Sequence, residues 1–189
     1  MNNLQLEALI NQKLDVSNFH DYAPNGLQVE GRRNVQRVVT GVTASQDLLD
    51  AAIAVEADAI LVHHGYFWKN EPAVVRGMKR NRLKALLVND INLYGYHLPL
   101  DAHPVLGNNA QLAELFGIAV QGEVMPLVPY GELEKPLSGE ELRQRIEVIL
   151  DRKVLHSAQG GPEEIRRIAW CFGGGQGFIQ QAAECGGEA

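Results

Sequence analysis

The run Ala59-Ile60-Leu61-Val62 is apolar at every position, and it ends on His63, His64 and Gly65. A strand that is apolar on both faces must be covered on both faces, which is the environment of a parallel strand between helices. Polar residues directly after such a strand lie at its carboxyl end, where open α/β sheets bind ligands. This segment therefore predicts a buried parallel strand with a site at its end.

The neighbouring segments alternate between strand and helix. An apolar strand is predicted at 37–42, a helix with one apolar face follows it, and a further strand is predicted at 91–96. Strands that alternate with helices indicate an α/β fold with mainly parallel sheets. With 189 residues, of which 46% are hydrophobic, the chain is long enough to bury one core or two small ones.

The segment that begins at Arg167 matches the segment that begins at Arg37 without a gap, and it indicates a duplicated α/β unit. A strand, a turn of small residues and a helix recur in the same order. In this alignment Ala189 falls opposite Ala59, so we expect the second copy to be incomplete. The predicted lobes are 1–125, with the histidine motif, and 126–189, which begins the repeat that is cut short.

A second polar segment, from His97 through Asp101 to His103, follows the strand at 91–96. Since neighbouring parallel strands end at the same edge of a sheet, we expect this segment to approach His63 and His64. A carboxylate can bridge two divalent ions, whereas a neutral imidazole fills one position. The sequence therefore predicts a metal site of His63, His64 and Asp101. His97 is either a further ligand or a residue that orients Asp101, and His103 is assigned to a turn.

Other motifs in the sequence give weaker indications of a catalytic or binding site. The chain has no GxSxG motif, and neither Cys171 nor Cys185 has a histidine beside it, which disfavours a nucleophilic hydrolase. The loop Gly173–Gly177 lacks the lysine and the hydroxyl of a P-loop, so we interpret it as a tight turn. His20 and His156 have no neighbouring ligand types and are interpreted as structural.

The charge balance disfavours nucleic acid as a partner, because the formal net charge is −6. We interpret the basic run at 76–84 as a solvated helix face. Two unpaired cysteines indicate a reducing compartment. The amino terminus has no basic and apolar leader, and no apolar run approaches the length of a membrane span. We therefore expect a cytoplasmic protein without membrane contact.

Five segments together carry a resemblance to a known family: DYAPNGLQVEG, VTGVTAS, ILVHHGYFWK, INLYGYHLPLDAHPVLGNNAQLA and WCFGGGQGFI. They resemble the dinuclear-metal-centre family of type 2 GTP cyclohydrolase I homologues, over the whole chain. The resemblance implies a duplicated α/β unit and a toroidal homohexamer with two divalent ions per full-length subunit. Histidine and carboxylate ligands suit zinc, iron, manganese and nickel alike.

Matched motif by motif, the resemblance makes His63, His64 and Asp101 metal ligands, with His97 close by. The family completes its metal pair with a histidine and a glutamate from a later segment. Residues 172–189 contain no histidine, so we expect those two ligands beyond Ala189 and interpret the chain as truncated. Metal binding by the chain alone is then expected to be weak, because ligands are missing.

The leading functional hypothesis is a metal-dependent hydrolase that opens a purine ring and releases formate. GTP as the small-molecule substrate is implied by the family label alone. The alternative hypothesis is a metal-binding ring or regulatory assembly protein that catalyses nothing. Ligands that hold a metal look the same in sequence as ligands that use it, so both hypotheses stay open here.

Overall fold

The computed structural model describes residues 1–189, which form two compact units, Met1–Leu100 and Asp101–Ala189. The first unit contains α1 (Asn3–Lys13), β1 (Gly26–Val29), β2 (Val38–Thr43), α2 (Gln46–Ala54), β3 (Ala59–His64), α3 (Gly77–Val88) and β4 (Asn92–Gly95). The short helix α4 (Leu98–Ala102) crosses the boundary. The second unit continues with α5 (Asn108–Phe116), β5 (Ile118–Met125), β6 (Val128–Leu137), α6 (Gly139–Leu150), β7 (Ile165–Ala169) and α7 (Ile179–Glu184).

The first unit is built on a four-stranded sheet of order β1-β4-β3-β2. Strands β2, β3 and β4 are parallel, and β1 pairs with β4 in the antiparallel sense. Ile60 and Val62 of β3 pack in a core cluster with Leu49 of α2 and Leu86 of α3. Ala59 belongs to a different cluster, which includes apolar residues of α1. The central strand is thus buried on both faces, as its unbroken apolar sequence predicts.

The second unit has a three-stranded sheet of order β5-β6-β7 in which both pairings are antiparallel. The prediction of mainly parallel sheets is therefore wrong for this unit, although the α/β class holds. The physical reason is the connection between β5 and β6, which is only the turn at Pro126-Leu127. A turn of this length joins antiparallel strands, whereas a parallel crossover needs a dozen or more residues.

The boundary between the units differs from the predicted one. Helix α5 and strand β5 belong to the second unit, whereas the sequence places them in the first lobe. Phe116 of α5 and Ile118 of β5 share a core cluster with Leu142 of α6 and Ile168 of β7, which accounts for their position. Every helix of the chain is too short or too polar to cross a lipid bilayer.

The predicted internal repeat is present in the hydrogen bonds of the two units. A carboxylate oxygen of Asp58 accepts hydrogen bonds from the backbone N–H groups of Gln36–Arg37, at 2.9 and 2.8 Å. A carboxylate oxygen of Glu188 accepts the same pair of bonds from Arg166–Arg167, at 2.7 and 2.9 Å. These residues are partners in the gapless alignment, and so the alignment reflects a real structural repeat.

The helices that precede these carboxylates also end alike. Glu56 and Gly186, which are matched in the alignment, have φ angles of 53° and 82°. In each copy the next N–H group bonds back into the helix, Ala57 to the carbonyl of Ala52 and Gly187 to that of Ala182, both at 2.9 Å. This is the Schellman motif, in which a residue with positive φ ends the helix. The helix end and the carboxylate that follows it therefore recur in both copies.

Candidate metal centre

Three imidazoles meet at the carboxyl ends of β3 and β4. His63 and His64 are the last residues of β3, and His97 follows β4, which pairs with β3 in parallel. The ring centroids lie 4.4 Å apart for His63 and His64, 5.1 Å for His63 and His97, and 5.8 Å for His64 and His97. One ligand atom from each ring lies within 4.8 Å of the other two. The structure thus brings together the two segments that the sequence placed at one edge.

Adjacent strand residues normally point to opposite faces of a sheet. His63 is buried, at 6% exposure, and His64 is half-buried. Their rings nevertheless lie close together because β3 ends at His64, so the alternation of the strand no longer separates them. This is the condition under which neighbouring histidines can serve one ion or two adjacent ions.

Each imidazole is held at Nδ1 by an oxygen atom outside the cluster. The pairs are His63 with the carbonyl of Tyr96 at 3.0 Å, His64 with Oγ1 of Thr43 at 3.3 Å, and His97 with Oδ1 of Asp21 at 2.7 Å. A carbonyl and an ionised carboxylate can only accept, so Nδ1 of His63 and of His97 carries a proton, which leaves Nε2 of the neutral ring as the nitrogen with a lone pair. Histidines that bind metals have this arrangement in general.

Asp21 is a site residue that the sequence analysis missed. Its side chain is 2% exposed and bonds to His97, to the side chain of Asn25 and to the N–H groups of Leu98 and Tyr22. Burial opposes ionisation of this carboxyl group, but the four hydrogen bonds outweigh it and lower the pKa of Asp21 to about 2. Asp21 is therefore charged at neutral pH, although it is buried.

Asp101 and His103 are two residues apart in sequence but make different local contacts. Asp101 is in α4, is 5% exposed, and its Oδ1 accepts a hydrogen bond from Nδ2 of Asn108 at 2.7 Å. It begins the second unit, and its place among the metal ligands stays a prediction. Nδ1 of His103 accepts from the N–H groups of Val105 and Leu106 at 3.1 and 3.0 Å, which confirms its predicted position in a turn.

An aromatic residue lies against the imidazoles. The ring centroid of Trp68 is 4.9 Å from that of His97 and 6.0 Å from that of His64. The loop that carries it is fixed by hydrogen bonds from the N–H of Lys69 to the carbonyl of Tyr22 and from the N–H of Glu71 to the carbonyl of Trp68. An indole at this distance excludes water from part of the cluster, which strengthens electrostatic interactions there.

The donors of the cluster fit a divalent ion of the first transition series. Imidazole nitrogen suits zinc, iron, copper and nickel, with metal–nitrogen bonds of about 2.0–2.1 Å for zinc. One ligand atom from each of the three rings lies within 4.8 Å of the others, which is near the separation of ligands on a common ion. His20 and His156 are exposed and lie outside this cluster.

The fold and the cluster together define an α/β protein with a candidate divalent-metal centre at the carboxyl edge of a mainly parallel sheet. The family model of Duf34/NIF3 (NGG1p interacting factor 3) matches residues 1–189. The chain belongs to this family.

Individual relatives agree with this assignment. A GTP cyclohydrolase 1 type 2 homolog of Yersinia pestis is 69% identical over all of this chain and 76% of the relative. The solved structure of protein ybgI, of unknown function, matches with a TM-score of 0.98 at 64% identity, over 100% of this chain and 76% of that one. TTHA1606 of Thermus thermophilus matches with a TM-score of 0.86 at 31% identity, over 96% and 74%. The resemblance to type 2 GTP cyclohydrolase I homologues is thus confirmed.

Proposed function

We propose that His63, His64 and His97 bind a divalent cation and that the protein is a metal-dependent hydrolase. The observation that supports this is the cluster itself, in which three imidazole nitrogens lie within 4.8 Å of one another and each ring is held at Nδ1. A divalent cation supplies Lewis acidity and lowers the pKa of bound water. Asp101, as a bridging carboxylate, belongs to the proposal because the resemblance of the motifs implies that it is a ligand.

The protein's own residues prepare the cluster for this role. The carbonyl of Tyr96 and the carboxylate of Asp21 fix the proton of two imidazoles at Nδ1, so that Nε2 is the donor atom. Trp68 shields one side of the cluster from solvent. These contacts orient the ligands before an ion arrives, which favours tight binding.

The proposed reaction is the hydrolytic opening of a purine ring with release of formate. The relatives bear the name GTP cyclohydrolase 1 type 2 homolog, which supports a purine nucleotide as the substrate. Water opens the five-membered ring at the carbon between its two nitrogens, and a second water releases that carbon as formate. This chemistry needs no oxidant and no reductant.

The resemblance also supports three properties of the whole protein. We propose a cytoplasmic homohexamer whose subunits each carry two divalent ions when their ligand sets are complete. The molar mass in solution and the metal content per subunit test this together. A monomer would contradict the hexamer, and one ion per subunit in a protein with the complete ligand set would contradict the count of two ions.

A metal titration tests the site. Zn²⁺ is added to the purified protein carrying Trp170→Phe, so that Trp68 is the only indole and reports on its histidine neighbours. We expect His63→Ala and His64→Ala to weaken zinc binding at least tenfold, because each removes a donor. The matched control is His156→Ala, which removes an exposed histidine outside the cluster. Unchanged affinity and stoichiometry in both cluster variants would refute the site.

Catalysis needs its own measurement. The metal-loaded protein is incubated with GTP, and formate is assayed. Formate release that is lost in His63→Ala supports the hydrolase. Full metal occupancy without formate would refute the purine reaction and favour the alternative, a non-catalytic metal-binding assembly protein.

A further inference from the structure

The loop at residues 21–26 holds the residue after β4 by its ring and by its backbone. Oδ1 of Asp21 accepts a hydrogen bond from Nδ1 of His97 at 2.7 Å, and Oδ2 accepts from the N–H of Leu98 at 2.8 Å. Oδ1 of Asn25 accepts from the N–H of His97 at 2.7 Å. The side chain of Asn25 also donates to Asp21 at 3.0 Å. Two side chains of one loop therefore fix both the position and the rotation of His97.

A purely structural role would explain only part of this arrangement. Leu98 is the first residue of α4, so Oδ2 of Asp21 satisfies an N–H group at the start of a helix. Bonding to this N–H group requires one carboxylate oxygen and no histidine ring. The second oxygen is directed at Nδ1 of the one histidine in this segment whose ring belongs to the cluster. A buried charge is costly unless it is well paired, and here the pairing goes to a candidate ligand.

We propose that Asp21 is the positioning residue of the metal centre, holding His97 as the Nδ1–H tautomer so that Nε2 is a third nitrogen ligand beside His63 and His64. This inference rests on the proposed metal binding. In metal sites generally, a carboxylate on the far nitrogen of a histidine fixes its tautomer and raises its basicity, and its loss weakens metal binding about 10–100-fold. Asn25 assists by fixing the backbone at His97.

The substitution Asp21→Asn separates charge from size. Every partner of Asp21 donates: the ring of His97, the amide of Asn25 and two backbone N–H groups. An asparagine has one accepting oxygen and turns an NH2 group toward some of these donors. The substitution therefore weakens the hydrogen bonding to the ring of His97 with little change in side-chain volume.

The first measurement is the tautomer of His97 in the metal-free protein, read from nitrogen-15 NMR of the histidine rings. We expect Nδ1–H in the unmutated protein and a mixture of tautomers in Asp21→Asn. The unmutated protein is measured independently of any variant, so a variant that fails to fold does not remove the test. Nε2–H as the main form of His97 in the unmutated protein would overturn the inference.

The second measurement is the zinc affinity of four proteins: unmutated, Asp21→Asn, His97→Ala and the double variant. We expect Asp21→Asn to weaken binding about 10–100-fold, and to have no further effect when His97 is already alanine. The control is Asp50→Asn, which changes an exposed carboxylate of α2 and leaves affinity unaltered. An equal loss with and without His97 would show that Asp21 is merely structural.

The two readouts separate the inference from the function on which it rests. If the unmutated protein binds no zinc but His97 keeps the Nδ1–H form, the proposed metal function is refuted, and the role of Asp21 at a metal centre is refuted with it. If zinc binds and Asp21→Asn changes neither tautomer nor affinity, only the role of Asp21 is refuted.

Discussion

The two copies of the repeat share a junction but differ in what surrounds it. In both, a carboxylate that follows the helix accepts hydrogen bonds from two backbone N–H groups, which lie just before the strand in the first copy and within it in the second. Asp58 in the first copy is largely buried and forms an ion pair with Arg32 at 3.0 Å, whereas Glu188 in the second copy is exposed. The backbone contacts are thus the common element, and the ion pair is an addition in the copy whose next strand carries the histidines.

The largest expected effect on stability comes from removing the carboxylate of Asp58. Asp58→Ala leaves two N–H groups and the charge of Arg32 without their partner, and we expect it to lower the free energy of unfolding of the first unit by about 3 kcal/mol. Glu188→Ala removes the same bonds at an exposed position, and we expect a loss of about 1 kcal/mol in the second unit. Equal losses would contradict the distinction between the copies.

Each unit contains one tryptophan, so urea unfolding can follow the two units separately. Trp68 reports on the first unit in a Trp170→Phe background, and Trp170 reports on the second in a Trp68→Phe background. Each carboxylate variant is measured with both reporters. An effect of Asp58→Ala that appears only at Trp170 would contradict the assignment of the junction to the first unit.

A smaller effect on stability is expected when low pH protonates Asp58 and Glu188. Hydrogen bonds from the N–H of Arg37 and from Gln36, helped by the charge of Arg32, lower the pKa of Asp58, and those from Arg167 and Arg166 lower the pKa of Glu188. Because both carboxyl groups have depressed pKa values in the folded state, their stabilisation is present at neutral pH. It is lost as the pH falls below about 4, the ordinary range of these groups, toward the depressed values.

Stability measured from neutral pH down to about pH 3 checks this sign. Asp58→Asn should reduce the dependence of the first unit's stability on acidic pH, and Glu188→Gln should reduce that of the second unit by less. A stronger dependence of stability on acidic pH in either variant would show that the carboxylate is not stabilised in its charged form.

The smallest effects are expected at the helix ends. Gly186 has a φ of 82°, which an L-residue adopts only with strain, so Gly186→Ala should destabilise the second unit by about 1 kcal/mol. Its counterpart Glu56 already bears that strain at a φ of 53°. Glu56→Gly relieves it but makes the unfolded chain more flexible, and so we expect stabilisation of less than about 1 kcal/mol. Loss of stability in Glu56→Gly would contradict the equivalence of the two turns.

Much of the first unit is predictable from sequence because its signals are local. The unbroken apolar run of β3 indicates burial on both faces, and the histidines at its end indicate a site. The repeat is visible because strand, turn and helix recur in one register. The second sheet is not predicted, since the turn at Pro126-Leu127 gives no strong signal for a hairpin.

The candidate site also contains residues that the sequence predicts and residues that it does not. His63, His64 and His97 are predictable as neighbours because parallel strands end at one edge. Asp21 is not, since an acidic residue before Pro24 and Asn25 is typical of a turn, and its partner His97 is distant in sequence. The assignment of Asp101 depends on the resemblance and stays a prediction.

The oxygen atoms that bond to the three imidazoles have a consequence for how the proposed metal centre would bind and release an ion. Because the rings are anchored by protein groups, their rotational freedom is lost when the chain folds and not when an ion binds. Under the proposed function, a cation would therefore bind to imidazoles that are already oriented, and one ion could replace another without any refolding of the sheet. Under the proposed function, relative supply and intrinsic ligand preference would then decide which ion the cluster binds.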